Sequence, residues 1–136
     1  SLFQFSKWLK RKFIKNKYSV YFGSRSHKKS NVQRDFLRKT LGDIGSLLIA
    51  IILGIKIKDT QCGYKLYKKN SAKFAFSKLK NYGWVHDIEL IMLLKSKNIL
   101  IKELPVTWIH KDNSKVNVIL DPIKMFIGIL VIRFRY

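Results

Sequence analysis

Apolar and polar positions follow two rhythms along this chain, and the rhythms mark out its elements. Over residues 33–55, Leu37, Leu41, Ile44, Leu48, Ile51, Ile52 and Ile55 recur at helical spacing. Residues 47–53 within that stretch are apolar on every side, which suits either a buried core helix or one lying in a membrane interface. The run is well short of the roughly 18–20 residues that span a bilayer, so no spanning helix is expected. Residues 122–136 form a second apolar helix closing on Arg133-Phe-Arg-Tyr136, and 41–55 and 122–132 are the candidate interfacial helices. Residues 84–94 are a third greasy helix, with Asp87 and Glu89 in its first turns. Asn70-Ser71 is expected to cap a shorter helix running to Leu79. Over residues 2–17, Leu2, Phe5, Leu9 and Phe13 share one helical face opposite lysines and Arg11, which fits a surface helix or an anionic-membrane contact.

Strands fall between these helices. Residues 18–22 and 65–68 read as short strands, and 99–109 as a strand broken or edged at Pro105. Residues 23–31 are expected to be a polar, basic loop. The order of strands and helices predicts an α/β layer arrangement, and 136 residues make one domain or a large piece of one.

Composition then narrows the partners. With 28 Lys+Arg against 8 Asp+Glu the chain carries +20, so its surface prefers phosphates, nucleic acid or an anionic membrane face. A basic nucleic-acid-binding domain is therefore a competing reading, but the lysines are spread over the whole length and much of the apolar content sits in two helices. The single cysteine excludes an internal disulfide and fits a cytosol-facing compartment. No secretory leader is expected from the first residues, and the sequence opens on Ser rather than Met. There is no Asp-x-Asp pair, no glycine-rich phosphate loop and no His/Cys metal spacing; His27, His86 and His110 are far apart in sequence.

The candidate chemistry centres on Lys58-Asp-Thr-Gln-Cys-Gly-Tyr-Lys-Leu-Tyr67, where an acid, an amide, the cysteine and a glycine follow a long apolar helix. Gly63 permits a tight turn or a close backbone approach to a ligand. Asp59 and Gln61 supply polar groups to satisfy such a turn or to meet a substrate. Asp87 and Glu89 lie in a greasy segment, where acids serve the helix N-terminus or pair with a cation.

The order of motifs is specific. Gly23-Ser24-Arg25 follows a strand, and Arg34-Asp-Phe-Leu-Arg38 opens the long apolar helix. Asp59-Thr-Gln-Cys-Gly-Tyr-Lys-Leu66 comes next, then Trp84-x-x-Asp87-x-Glu89, Glu103-Leu-Pro-Val-Thr-Trp108 and the closing Ile132-Arg-Phe-Arg-Tyr136. This series resembles the C-terminal half of the dolichyl-phosphate β-glucosyltransferase group, polyprenyl-phosphate sugar synthases of glycosyltransferase family 2.

That resemblance implies the acceptor side of a GT-A fold that moves glucose from UDP-glucose to dolichyl or other polyprenyl phosphate, feeding the lipid-linked sugars of protein N-glycosylation. A sister mannosyl- or other hexosyltransferase is the alternative within the class. The resemblance also implies an Asp-x-Asp metal site for Mg²⁺ or Mn²⁺ upstream of residue 1, so the chain is expected to be an incomplete enzyme, inactive alone, whose metal ligands lie outside it. It further implies membrane association at the cytosolic face, of the endoplasmic reticulum in a eukaryote or the inner membrane in a bacterium. Nucleic acid is not a partner on this reading.

By the same resemblance, Arg25 with Arg34 or Arg38 grips the acceptor phosphate beside Gly23 and Ser24. Asp59 and Gln61 face the sugar or the acceptor, with Gly63 and Lys65 beside them, and Asp59 and Asp87 are the candidate catalytic acids. Trp84 walls the donor site, while Asp87 or Glu89 orients sugar hydroxyls or pairs with an arginine. An acceptor phosphate is already ionised at neutral pH, so the chemistry demands a cationic cradle more than a strong base. Cys62 is accordingly expected to be a packed small residue.

Overall fold

A computed structural model describes residues 17–33, 36–83, 85–109 and 120–136. The helix expected over residues 2–17 lies outside the described residues, as do Arg34 and Trp84. The fold is mixed α/β. Its central strand is β1 (Val20–Ser24), buried along its whole length. Strand β3 (Lys65–Tyr67) pairs with it antiparallel, Phe22 opposite Lys65. Strand β4 (Ile101–Pro105) pairs parallel on the other side, Ser24 opposite Pro105. Pro105 has no N–H to give, and the strand ends there as its sequence predicts. The chain continues as β5 (Thr107–Ile109), which pairs in parallel with β2 (Asn31–Gln33) as a second small sheet. β2 lies partly in the stretch expected to be loop, and its partner strand holds it extended.

Among the described residues four helices pack around the strands: α1 (Phe36–Leu53), α2 (Lys69–Lys78), α3 (His86–Ser96) and α4 (Leu120–Arg135). Val20 and Phe22 of β1 meet Ile49 and Leu53 of α1, Ile88, Leu90, Ile91 and Leu94 of α3, and Ile129 and Ile132 of α4 in one core. Gly54 ends α1 in the left-handed region at φ 61, the backbone conformation glycine adopts without strain. The Lys95 ammonium donates to the Leu53 and Gly54 carbonyls at 3.2 and 3.0 Å, placing a cation at the helix's negative end. Asn98, at φ 54, closes α3 with Ile99 N–H donating to the Leu94 carbonyl and its own N–H to Lys95.

One expectation is corrected. Asn70 and Ser71 do not cap α2: the capping position is Lys68, without a side-chain bond, and Ser71 is buried inside the helix. The stripe over residues 33–55, open to either a core or an interfacial placement, divides: Leu41, Ile44, Leu48 and Ile51 are exposed, Ile51 at 70%, while Ile52 and Ile55 pack on the core. Ile49 and Leu53 supply the buried side as well. Because residues 47–53 are apolar all round, periodicity alone does not choose the face. α4 packs beside α1, Met125 near Gly45, and also exposes Ile123, Phe126, Ile127 and Phe134. No helix among the described residues is long and apolar enough to cross a membrane.

Candidate functional site

The loop leaving β1 meets residues 58–61 through one ion pair. Arg25 donates from Nε to Asp59 Oδ2 at 2.8 Å and from Nη2 to Oδ1 at 2.9 Å, and its backbone N–H also reaches Oδ2 at 2.8 Å. The Gln61 N–H adds a fourth donor on Oδ1. Asp59 is 6% exposed. Burial alone raises a carboxyl pKa, but the hydrogen bonds and charge of Arg25 outweigh it and hold Asp59 below the usual carboxylate range. The same bonds raise the Arg25 pKa against its own burial. The guanidinium also lies 5.7 Å from the centre of the Trp108 ring.

Three residues to which the sequence assigned no role build the frame. Glu103 Oε1 accepts the N–H groups of Lys58 and Asp59, each at 3.1 Å, from strand β4. Ser46 of α1 donates its hydroxyl to the Lys58 carbonyl at 2.7 Å. Ser30 donates to the Ser24 carbonyl at 2.6 Å and accepts the Val106 N–H, fastening the 25–30 loop to the end of β4. Glu103 stands in a quoted motif, but its partners lie 44 and 45 residues away. Local spacing carries no signal of them.

Between these parts lies a cavity of about 190 Å³. Arg25, Lys58, Asp59 and Gln61 form its polar side, and Leu41, Ile49 and Met125 its apolar side. Charge and grease thus meet in one space.

The other expected residues fall in separate places. A Cβ on Gly23 would stand 2.7 Å from Val106 Cγ1 and 3.0 Å from Tyr64 Cβ, so packing alone demands glycine there. Ser24 is wholly buried, and its carbonyl rather than its hydroxyl is engaged. Gly63 is exposed, has no positive φ and would crowd nothing with a Cβ, so its turn does not require glycine. Cys62 is buried against Gly23, and burial is the chief cause of its raised thiol pKa. Lys65 and Asp87 form their own pair at 2.8 Å, with His86 Nε2 at 2.9 Å from the second carboxylate oxygen. Glu89 is fully buried and accepts from the Lys80 and Asn81 backbones, the Asn81 side chain, Arg135 and Tyr136. Of the two expected uses of these acids, pairing with an arginine is the one Glu89 displays. Arg34 and Trp84 lie outside the described residues, and α1 includes Arg38 without a described side chain. No group of three or more His, Cys, Asp or Glu among the described residues could hold a metal ion.

No family model and no solved structure matches the chain. Named relatives do. It is 36% identical over 124 residues to the dolichyl-phosphate β-glucosyltransferase of Saccharomyces cerevisiae, covering 88% of this chain and 37% of that protein. The Dictyostelium discoideum protein of that name is 36% identical over 128 residues, covering 92% of this chain and 39% of the relative. The Homo sapiens protein is 36% identical over 124 residues, covering 89% and 38%. The chain therefore spans less than two fifths of the length of these curated relatives. Over most of its own residues it is a homologue of part of the dolichyl-phosphate β-glucosyltransferases.

Proposed function

We propose that this chain forms the acceptor side of a GT-A glycosyltransferase that transfers glucose from UDP-glucose to dolichyl phosphate for protein N-glycosylation. The observation that carries the reading is the cavity whose polar wall holds the Arg25–Asp59 pair and whose other wall is apolar. A phosphate joined to a prenyl chain has the same two characters. In the reaction a phosphate oxygen attacks the anomeric carbon of glucose from the face opposite UDP. The new carbon–oxygen bond forms as the bond to UDP breaks, and UDP leaves with that electron pair, inverting the centre. The acceptor oxygen is already ionised, so no base need remove a proton.

Asp59 then acts by aiming Arg25, since four N–H donors already occupy its two carboxylate oxygens, and Asp87 by holding Lys65. On this reading Arg34 or Arg38 joins Arg25 at the acceptor phosphate, Trp84 belongs to the donor site, and Gln61, with Gly63 beside it, serves the sugar or the acceptor. A divalent cation belongs to the complete reaction. The described residues offer it no cluster, and no step here runs through it. The exposed apolar faces of α1 and α4, on a chain of charge +20, support seating on an anionic membrane at its cytosolic face. Nucleic acid has no part in this reading.

The test is transfer by the full-length product of the coding region. It is given UDP-glucose labelled in the sugar, Mg²⁺ or Mn²⁺ and polyprenyl phosphate. Label should move into the organic phase, and Arg25→Ala should abolish that movement. No lipid-borne label would overturn the proposal, and preferential transfer from GDP-mannose would move it to a sister enzyme.

A further inference from the structure

Arg25 is an incomplete answer to how a phosphate is held. Two of its three guanidinium nitrogens are committed to Asp59, and the carboxylate offsets its charge. The side-on Nε/Nη2 edge is therefore taken, which leaves the Nη1 end of the guanidinium to donate but with its charge already paired. Among the described residues lining this cavity, a phosphate meets a neutral pair unless another cation is present.

Lys58 supplies one. It lines the same cavity, next to Asp59, with its side chain exposed. Both of its backbone polar groups are pinned, the N–H by Glu103 and the carbonyl by Ser46, so its Cα is fixed at the cavity rim. Among the described residues no carboxylate forms an ion pair with its ammonium. Leu41, Ile49 and Met125 give the same cavity apolar lining. We propose that Lys58 carries the phosphate-binding charge of this cavity, with the remaining Arg25 nitrogen, Nη1, as second donor. The ligand class is a phosphomonoester bearing a prenyl chain, the chain lying on the apolar wall. Glu103 is the positioning residue that sets Lys58 at the rim. This rests on the acceptor reading above and names the group that would bind.

The experiment measures binding of a short-chain polyprenyl phosphate, the matching uncharged polyprenol and inorganic phosphate to the protein in detergent micelles. Lys58→Ala, Lys58→Arg and, as a lysine away from the cavity, Lys97→Ala are compared with the parent. Lys58→Ala should weaken polyprenyl phosphate binding at least tenfold, flatten its salt dependence and leave polyprenol unchanged. Lys58→Arg should restore most of the affinity, and Lys97→Ala should change nothing. Inorganic phosphate should bind far more weakly than the prenyl ester; equal binding would leave a bare phosphate site and overturn the prenyl assignment. If Lys58→Ala matches Lys97→Ala while the parent binds, the Lys58 inference falls and the acceptor reading stands. Equal loss of polyprenol and polyprenyl phosphate in Lys58→Ala would mark a structural role and overturn it as well. If the parent binds no polyprenyl phosphate, both readings fall together.

Discussion

Arg135 Nη1 meets Glu89 Oε1 at 3.1 Å, tying the last turn of α4 to a carboxylate with no exposed surface. Five donors converge on that one side chain. Replacing Glu89 with alanine removes their common acceptor from a buried position, although Lys80, Arg135 and Tyr136 themselves reach solvent. Glu89→Ala should cost about 1–3 kcal/mol of unfolding free energy in urea titration. Glu89→Gln should cost less, because it keeps the shape and part of the acceptor capacity.

Acid should unfold the protein through the same two carboxylates. At Asp59 and Glu89, burial pushes the pKa up, but the hydrogen bonds around each hold it below its ordinary value, 3.8 and 4.5 respectively. A lowered folded pKa means the stabilisation is full above those ordinary values and is lost as pH falls below them toward the folded ones. Unfolding free energy measured from pH 7 to pH 3 should hold to about pH 5 and then drop. Asp59→Asn and Glu89→Gln should each flatten the acid limb.

Two glycines of the quoted motifs should separate cleanly. Gly23→Ala drives a methyl into Val106, Tyr64 and Cys62 and should destabilise by about 1–3 kcal/mol. Val106→Ala in the same chain should recover part of that loss, which a double-mutant cycle reads directly. Gly63→Ala meets open space and should change stability by less than about 0.5 kcal/mol. A drop in polyprenyl phosphate binding by that variant at unchanged stability would place ligand, not fold, at Gly63.

Partition onto anionic vesicles should depend on the outward faces of α1 and α4. Ile51 and Ile127 are 70% and 57% exposed. Replacing both with asparagine removes apolar area that a membrane interface would cover, and sedimentation with vesicles should fall at least about tenfold. Thermal stability should barely move, since neither side chain serves the core.

Much of this arrangement is written locally in the chain. The helices announce themselves through long apolar runs, and Pro105 ends β4 because it has no N–H to give. β2 is not written there, since its pairing depends on residues 107–109, far along the sequence. The outward turn of α1 is not legible either, because every face of residues 47–53 is apolar. At the site, Arg25 and Asp59 are both named, yet their bond lies across 34 residues and occupies one edge of the guanidinium. Lys58 stood at the edge of the motif without a role because a lysine in a chain of charge +20 carries no distinguishing signal.

The hydroxyl of Ser46 has a mechanical consequence. It joins the middle of α1 to the Lys58 carbonyl, and the next residue, Asp59, grips Arg25. Any pull on the arginine is therefore transmitted to a helix whose outer side is built of exposed Leu and Ile. The seat of α1 and the occupancy of the cavity become one coupled variable, so whatever surface holds the helix also sets the tension on the site.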